Sequence, residues 1–125
     1  MEVYIIASFP PLITSVLSVA MILPPDFFID SCYQGYDGNG HIAWPGSDVK
    51  IEFDCSPACR HLVLYNPLDE PYFAVEPATN ANNGINLYSG GEPDSGVVVL
   101  MPGECMEASF TMRIRCQRMT EIHDE

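Results

Sequence analysis

Between positions 106 and 116 the chain alternates without a break: Met106, Ala108, Phe110, Met112, Ile114 and Cys116 interleave with Glu107, Ser109, Thr111, Arg113 and Arg115. Side chains of a strand point to opposite faces at every second residue, so one row can enter a core while the other meets water. A slip of one residue would expose the apolar row and bury the charges, which specifies the register strongly. The spacing predicts a β-strand over 106–116.

Shorter segments repeat the signal. Ile42 to Trp44 and Val49 to Phe53 flank Pro45-Gly46-Ser47-Asp48, turn chemistry between two extended candidates, and Val49, Ile51 and Phe53 alternate with Lys50, Glu52 and Asp54. His61 to Tyr65 is an apolar run ended by Asn66-Pro67, Tyr72 to Val75 is a short extended candidate closed by Glu76-Pro77, and Val97 to Met101 reads as a buried strand. Cys55 to Arg60 is a connection, Ser31 to His41 a loop, and Ala78 to Gly96, rich in asparagine and glycine, a long surface connection. Strands joined by Pro, Gly and Asn turns predict a mainly β protein, an antiparallel β-sandwich, with any helix confined to the N-terminal region.

A chain of 125 residues fits one domain and buries about two thirds of the surface that its extended form exposes. With so many loops the core has little to spare, and exposed strand edges need pairing or shielding, which predicts self-association or a complementing chain on the incomplete side. Seventeen acidic against five basic residues give a formal net charge of -12, which sets nucleic acid aside and argues against an anionic membrane surface. Small neutral ligands are little affected by that field.

Residues 1–25 stand apart as an apolar N-terminal segment, 26–116 as the β domain and 117–125 as a polar tail. No charge occurs from Val3 through Pro25, but Pro10 and Pro11 interrupt the run below membrane-span length, and Glu2 stands where a secretory signal has basic residues. The segment reads as a buried helix, a strand or a terminus detached from its original context. Cys32, Cys55, Cys59, Cys105 and Cys116 are an odd set, read as free thiols in a reducing compartment, by default the cytoplasm. The Cys55–Cys59 spacing suits zinc, yet no second pair or histidine set completes a tetrahedron, so no metal is expected. Gly35, Gly38 and Gly40 do not form a dinucleotide fingerprint.

Among candidate chemical groups, Glu76 sits where a short apolar strand meets Pro77, at a sheet margin or loop mouth; there a carboxylate can accept a hydrogen bond from a sugar hydroxyl or take its proton. An exposed charge or local cap is the competing reading. Asp30, after Phe27-Phe28-Ile29, is either a turn cap or a second carboxylate gripping ligand hydroxyls. Tyr33, Tyr36 and Trp44 can line a stacking face or complete the core, while His41 and His61, neither locally paired with Glu76, are either candidate acids or residues of surface hydrogen bonding and strand placement.

In order, Asp30-Ser-Cys-Tyr-Gln-Gly-Tyr-Asp-Gly38, Ile42-Ala-Trp-Pro45, His61-Leu-Val-Leu-Tyr-Asn-Pro67, Phe73-Ala-Val-Glu-Pro77, Asn86 and Leu100-Met-Pro-Gly-Glu104 resemble the C-terminal portion of aldose 1-epimerases, over about Phe27 to Ile114. The resemblance implies part of a galactose mutarotase-like supersandwich that interconverts the α and β anomers of a free aldose such as galactose or glucose. It makes Glu76 the catalytic base, gives Asp30 and Asn86 to substrate binding, and calls for no metal or organic cofactor. Two upstream histidines that serve the family as general acid and positioning group have no counterpart here, Asn80 stands where histidine is frequent, and residues 1–25 do not resemble the upstream strands. A truncated relative is expected, with a noncatalytic carbohydrate-binding or interaction domain as the alternative to an isomerase.

Overall fold

The computed structural model describes residues 3–9, 17–23, 26–44 and 46–116, with side chains from 26 onward. Its strands are β1 (Val3–Phe9), β2 (Leu17–Leu23), β3 (Ile29–Gln34), β4 (Asn39–Ala43), β5 (Val49–Cys55), β6 (His61–Asn66), β7 (Ala74–Ala78) and β8 (Phe110–Cys116), with one helix, α1 (Gly84–Ser89). They form a five-stranded sheet, β2-β1-β4-β5-β8, and a three-stranded sheet, β3-β6-β7, every pairing antiparallel. The mainly β, sandwich-type class read from the sequence is the one observed.

The sheets meet through their alternating apolar rows. Ile29, Leu62 and Leu64 of the three-stranded sheet are buried in one cluster with Ile42 and Phe53 of the five-stranded sheet, and Tyr36 is fully enclosed among them. Trp44 and Phe73, with ring centroids 6.3 Å apart, pack at its rim. On the other side of the five-stranded sheet, Arg113 bonds Asp54 at 2.6 Å and Arg115 bonds Glu52 at 3.3 Å, so the second row of the alternation faces water as read. Gly38 leads into β4 at φ 101°, and a Cβ there would lie 2.5 Å from the Cys55 carbonyl oxygen, while the Gly38 carbonyl accepts the Cys55 N–H at 2.7 Å. Only glycine permits that approach.

Of the readings open for the N-terminal segment, strand is the one observed: β1 pairs with both β2 and β4, consistent with two prolines in sequence between two runs rich in β-forming residues. Other sequence expectations are corrected. Helix appears instead in the Asn/Gly-rich connection, where Asn83, left-handed at φ 59°, turns the chain into α1. β3 extends to Gln34 and β4 begins at Asn39, so the expected loop from Ser31 to His41 is strand at both ends. β7 begins at Ala74 and runs past Pro77, a residue that sheets accept chiefly on edge strands such as this one. Val97 to Met101 is not a buried strand: it pairs with no described strand, its side chains from Val98 to Met101 are exposed, and Glu104 closes a turn on it by accepting the Met101 N–H at 2.8 Å. The alternating segment is strand only from Phe110, since β5 ends at Cys55, the partner of Phe110.

Leu62 is 1% exposed at the centre of the core. Leu62→Ala is expected to destabilise the protein by about 2–5 kcal/mol, read as a lower urea midpoint at unchanged slope.

Candidate functional site

The apolar contact between the sheets decides what the three-stranded sheet shows on its outside. Ile29, Leu62 and Leu64 point in, so the alternate residues point out. In register, Asp30 stands opposite Tyr65 and Tyr65 opposite Ala74, while Cys32 stands opposite Val63 and Val63 opposite Glu76. Asp30, Tyr65 and Glu76 therefore share one outward face. Two strand spacings across and two residues along separate the Asp30 and Glu76 backbones by about 12 Å. Both carboxylates are exposed, and Tyr65, half-buried, lies between them.

Aromatic groups border this face at the Asp30 end. Asn66 donates to the Phe27 carbonyl at 2.6 Å, tying the entry segment to β6, and Phe28 meets Tyr65 edge to face at 6.5 Å and 86°. Asp30 also lines a depression of about 500 Å³ with Phe27, Phe28, Ile29, Ser31 and Tyr33, which wraps the free edge of β3. Glu76 is no part of that depression; it stands mid-strand on the edge strand β7, where the sequence placed it at a strand end.

Asn86 sits on α1, and its amide donates to Asn83 Oδ1 at 2.6 Å, a partner within its own turn. The connection that carries it packs over the far end of β6. Ala81 N–H bonds the Ser95 carbonyl, Gly84 is buried, and a second depression of about 390 Å³ is lined by Tyr88, Glu92, Pro93, Ser95, Gly96 and Val97 among others.

The histidines divide between the sheets. His61 shares the outward face of Glu76 by register, opposite Ala78 and diagonal to Glu76, a Cβ separation of about 7–8 Å. It is only 3% exposed, covered by the connection, and its Nε2 lies 3.2 Å from the Asp94 carbonyl oxygen. A carbonyl only accepts, so Nε2 carries the proton and donates it there; Nδ1 is buried with no hydrogen-bond partner among the described residues. His41 belongs to the five-stranded sheet, opposite Glu52. His61 opens β6 and His41 lies in β4, and neither imidazole is held as a proton donor to a ligand resting on Glu76.

Tyr33 lines the β3 depression and partly flanks the core, Tyr36 is core, and Trp44 is a core-rim residue. Burial and, secondarily, nearby Cys55 and acidic groups hold the Tyr36 hydroxyl far above the usual phenol range. All five cysteines are free thiols, and burial followed by the adjacent Cys59 sulfur pushes the Cys55 thiol up to about 11. Among the described residues no three His, Cys, Asp or Glu side chains converge as a metal site, and no helix is long and apolar enough to cross a membrane. Tyr65 and Phe28 are the site residues that the sequence reading passed over. The signal was period two within His61-Leu-Val-Leu-Tyr65, hidden because both faces of that strand carry apolar residues.

Comparison of the chain with protein-family models, curated proteins and solved structures gives no match.

Two outcomes follow. Gly96 has φ 73°, and a Cβ there would lie 2.6 Å from the Thr79 carbonyl oxygen and 2.7 Å from His61 Cε1. Gly96→Ala is expected to cost about 1–3 kcal/mol and to lift the connection, read as faster amide exchange across residues 79–97 and a shifted His61 ring resonance. For pH, burial first and Lys50 second lower the His41 pKa from 6.5, against the opposing pull of Glu52. The folded protein thus resists protonating His41, so this contribution to stability is present above 6.5 and is lost as pH falls through the folded value. His41→Gln should flatten the decline just below pH 6.5 while leaving a separate fall at lower pH, where Glu52, held below its ordinary 4.5 by its Arg115 hydrogen bond, takes up a proton.

Proposed function

We propose that the outer face of the three-stranded sheet binds a free, neutral aldose in the manner of the aldose 1-epimerases that the motif order resembles. The observation that carries this reading is the shared outward face of Asp30, Tyr65 and Glu76. An apolar sugar face stacks on Tyr65, flanked by Phe28, while the two carboxylates accept hydrogen bonds from hydroxyls on opposite sides of the ring. Within that arrangement Glu76 is the base for the anomeric hydroxyl: it takes the proton as the ring opens, the ring oxygen gains one, and rotation with reclosure yields the other anomer. That second proton has to come from water or from a complementing chain, because His61 is committed to Asp94 and His41 lies on the other sheet. Asn86 contributes at most from the margin, given its bond to Asn83. The free thiols fit a reducing compartment, and we place the protein in the cytoplasm on that basis.

The same commitment of the histidines favours a second reading, noncatalytic carbohydrate binding by this face. One experiment separates them. Galactose or glucose titrated to high millimolar concentration should shift the resonances of Asp30, Tyr65 and Glu76, and polarimetry should show faster anomer equilibration that falls about 10²–10⁴-fold in Glu76→Gln. Binding without acceleration selects the noncatalytic reading. Absence of any binding removes both.

A further inference from the structure

Among the described residues β8 ends the five-stranded sheet, and none of them covers its apolar row. Phe110, Met112 and Ile114 stand opposite Cys55, Phe53 and Ile51, on the face that carries the core, yet they are 50%, 55% and 66% exposed. Phe110 lies 6.5 Å from core Phe53, so the exposed row continues the core surface beyond the three-stranded sheet. Edge strands are usually blunted by proline, a bulge or an isolated charge. β7 has Pro77; β8 has no proline, glycine or lysine, and its two arginines are already paired to Asp54 and Glu52.

The alternating segment is longer than β8. Residues 106–109 carry the strand pattern but pair with no described strand, apart from Ser109, which is bonded to Ser56. The whole segment is also complementary to itself when reversed about its middle residue, Thr111. Antiparallel pairing with an identical segment places Met106 opposite Cys116, Glu107 opposite Arg115, Ala108 opposite Ile114, Ser109 opposite Arg113 and Phe110 opposite Met112, with Thr111 facing its twin. Every apolar residue meets an apolar one, both arginines avoid each other, and the acid meets a base. Glu107 is exposed and forms no ion pair with the described residues, while Arg115 uses Nε toward Glu52 and keeps its terminal nitrogens for a second carboxylate.

We propose that this chain dimerises with a second copy of itself through β8, about a twofold axis at Thr111, joining two five-stranded sheets into one and extending the strand to residues 106–116. Opposite-charge, Thr–Thr and apolar cross-strand pairs supply the side-chain contacts, and the open backbone edges of both copies are satisfied together. The net charge of -12 on each chain opposes association at long range, so the dimer forms at physiological ionic strength, where such repulsion is screened beyond about 8 Å. This inference stands apart from sugar binding, and a failed sugar titration leaves it intact.

Sedimentation across a concentration series should give a mass approaching twice 13.8 kDa, with amides 106–109 protected from exchange in the dimer. Glu107→Arg, at an exposed position outside β8, should weaken the dimer about tenfold or more, since two opposed pairs become repulsive. Glu107→Arg combined with Arg115→Glu should restore it. A chain that is monomeric at every concentration overturns the proposal, whether 106–109 exchange freely or are protected by the chain's own last residues. So does a dimer indifferent to Glu107→Arg, or one in which 106–109 stay unprotected.

Discussion

The apolar contact between Ile29, Leu62 and Leu64 on one sheet and Ile42 and Phe53 on the other, closed around Tyr36, fixes the polarity of every strand it touches. Because neighbours along a strand face opposite ways, putting Leu62 and Leu64 inside puts Val63 and Tyr65 outside, and the register carries that choice sideways to Asp30 and Glu76. The charged surface of the other sheet is set in the same way: Ile51 turned inward leaves Lys50 and Glu52 for water. A candidate binding face thus arises as the reverse side of a hydrophobic core.

What could be read beforehand was what period two expresses in one strand. The alternation at Val49 to Phe53 and at Phe110 to Cys116 is visible because apolar and charged residues take turns. It fails where both faces are apolar, as in His61 to Tyr65, which hid Tyr65. Val97 to Met101 differs for a related reason: a continuous apolar run reads as a strand buried on both faces, but burial needs partner strands, and no described strand pairs with it. Asp30 and Glu76 could be singled out, whereas their common face depends on pairing across β3, β6 and β7, a long-range fact that no local spacing contains. The imidazole positions were equally out of reach, since His61 is covered by a connection that rejoins it from residue 94.

In the proposed reading, the outward face offers groups to hold a sugar and one base, but no imidazole donor. Two exposed carboxylates with an aromatic ring between them suit hydroxyl recognition, and one of them can serve as a base. General acid–base catalysis also asks for a donor within hydrogen-bond reach of the ring oxygen, and the nearest imidazole spends its proton on a backbone carbonyl.

The basic residues are unevenly spread. Lys50, Arg113 and Arg115, three of the five in the chain, lie together on the outer side of the five-stranded sheet, engaged with Glu52 and Asp54. No lysine or arginine occurs in β3, β6 or β7. If this face holds a sugar as proposed, a phosphorylated one approaching Asp30 and Glu76 would meet like charge and no lysine or arginine within these three strands, Arg60 just before β6 being the nearest in sequence, so the proposed site favours the free monosaccharide.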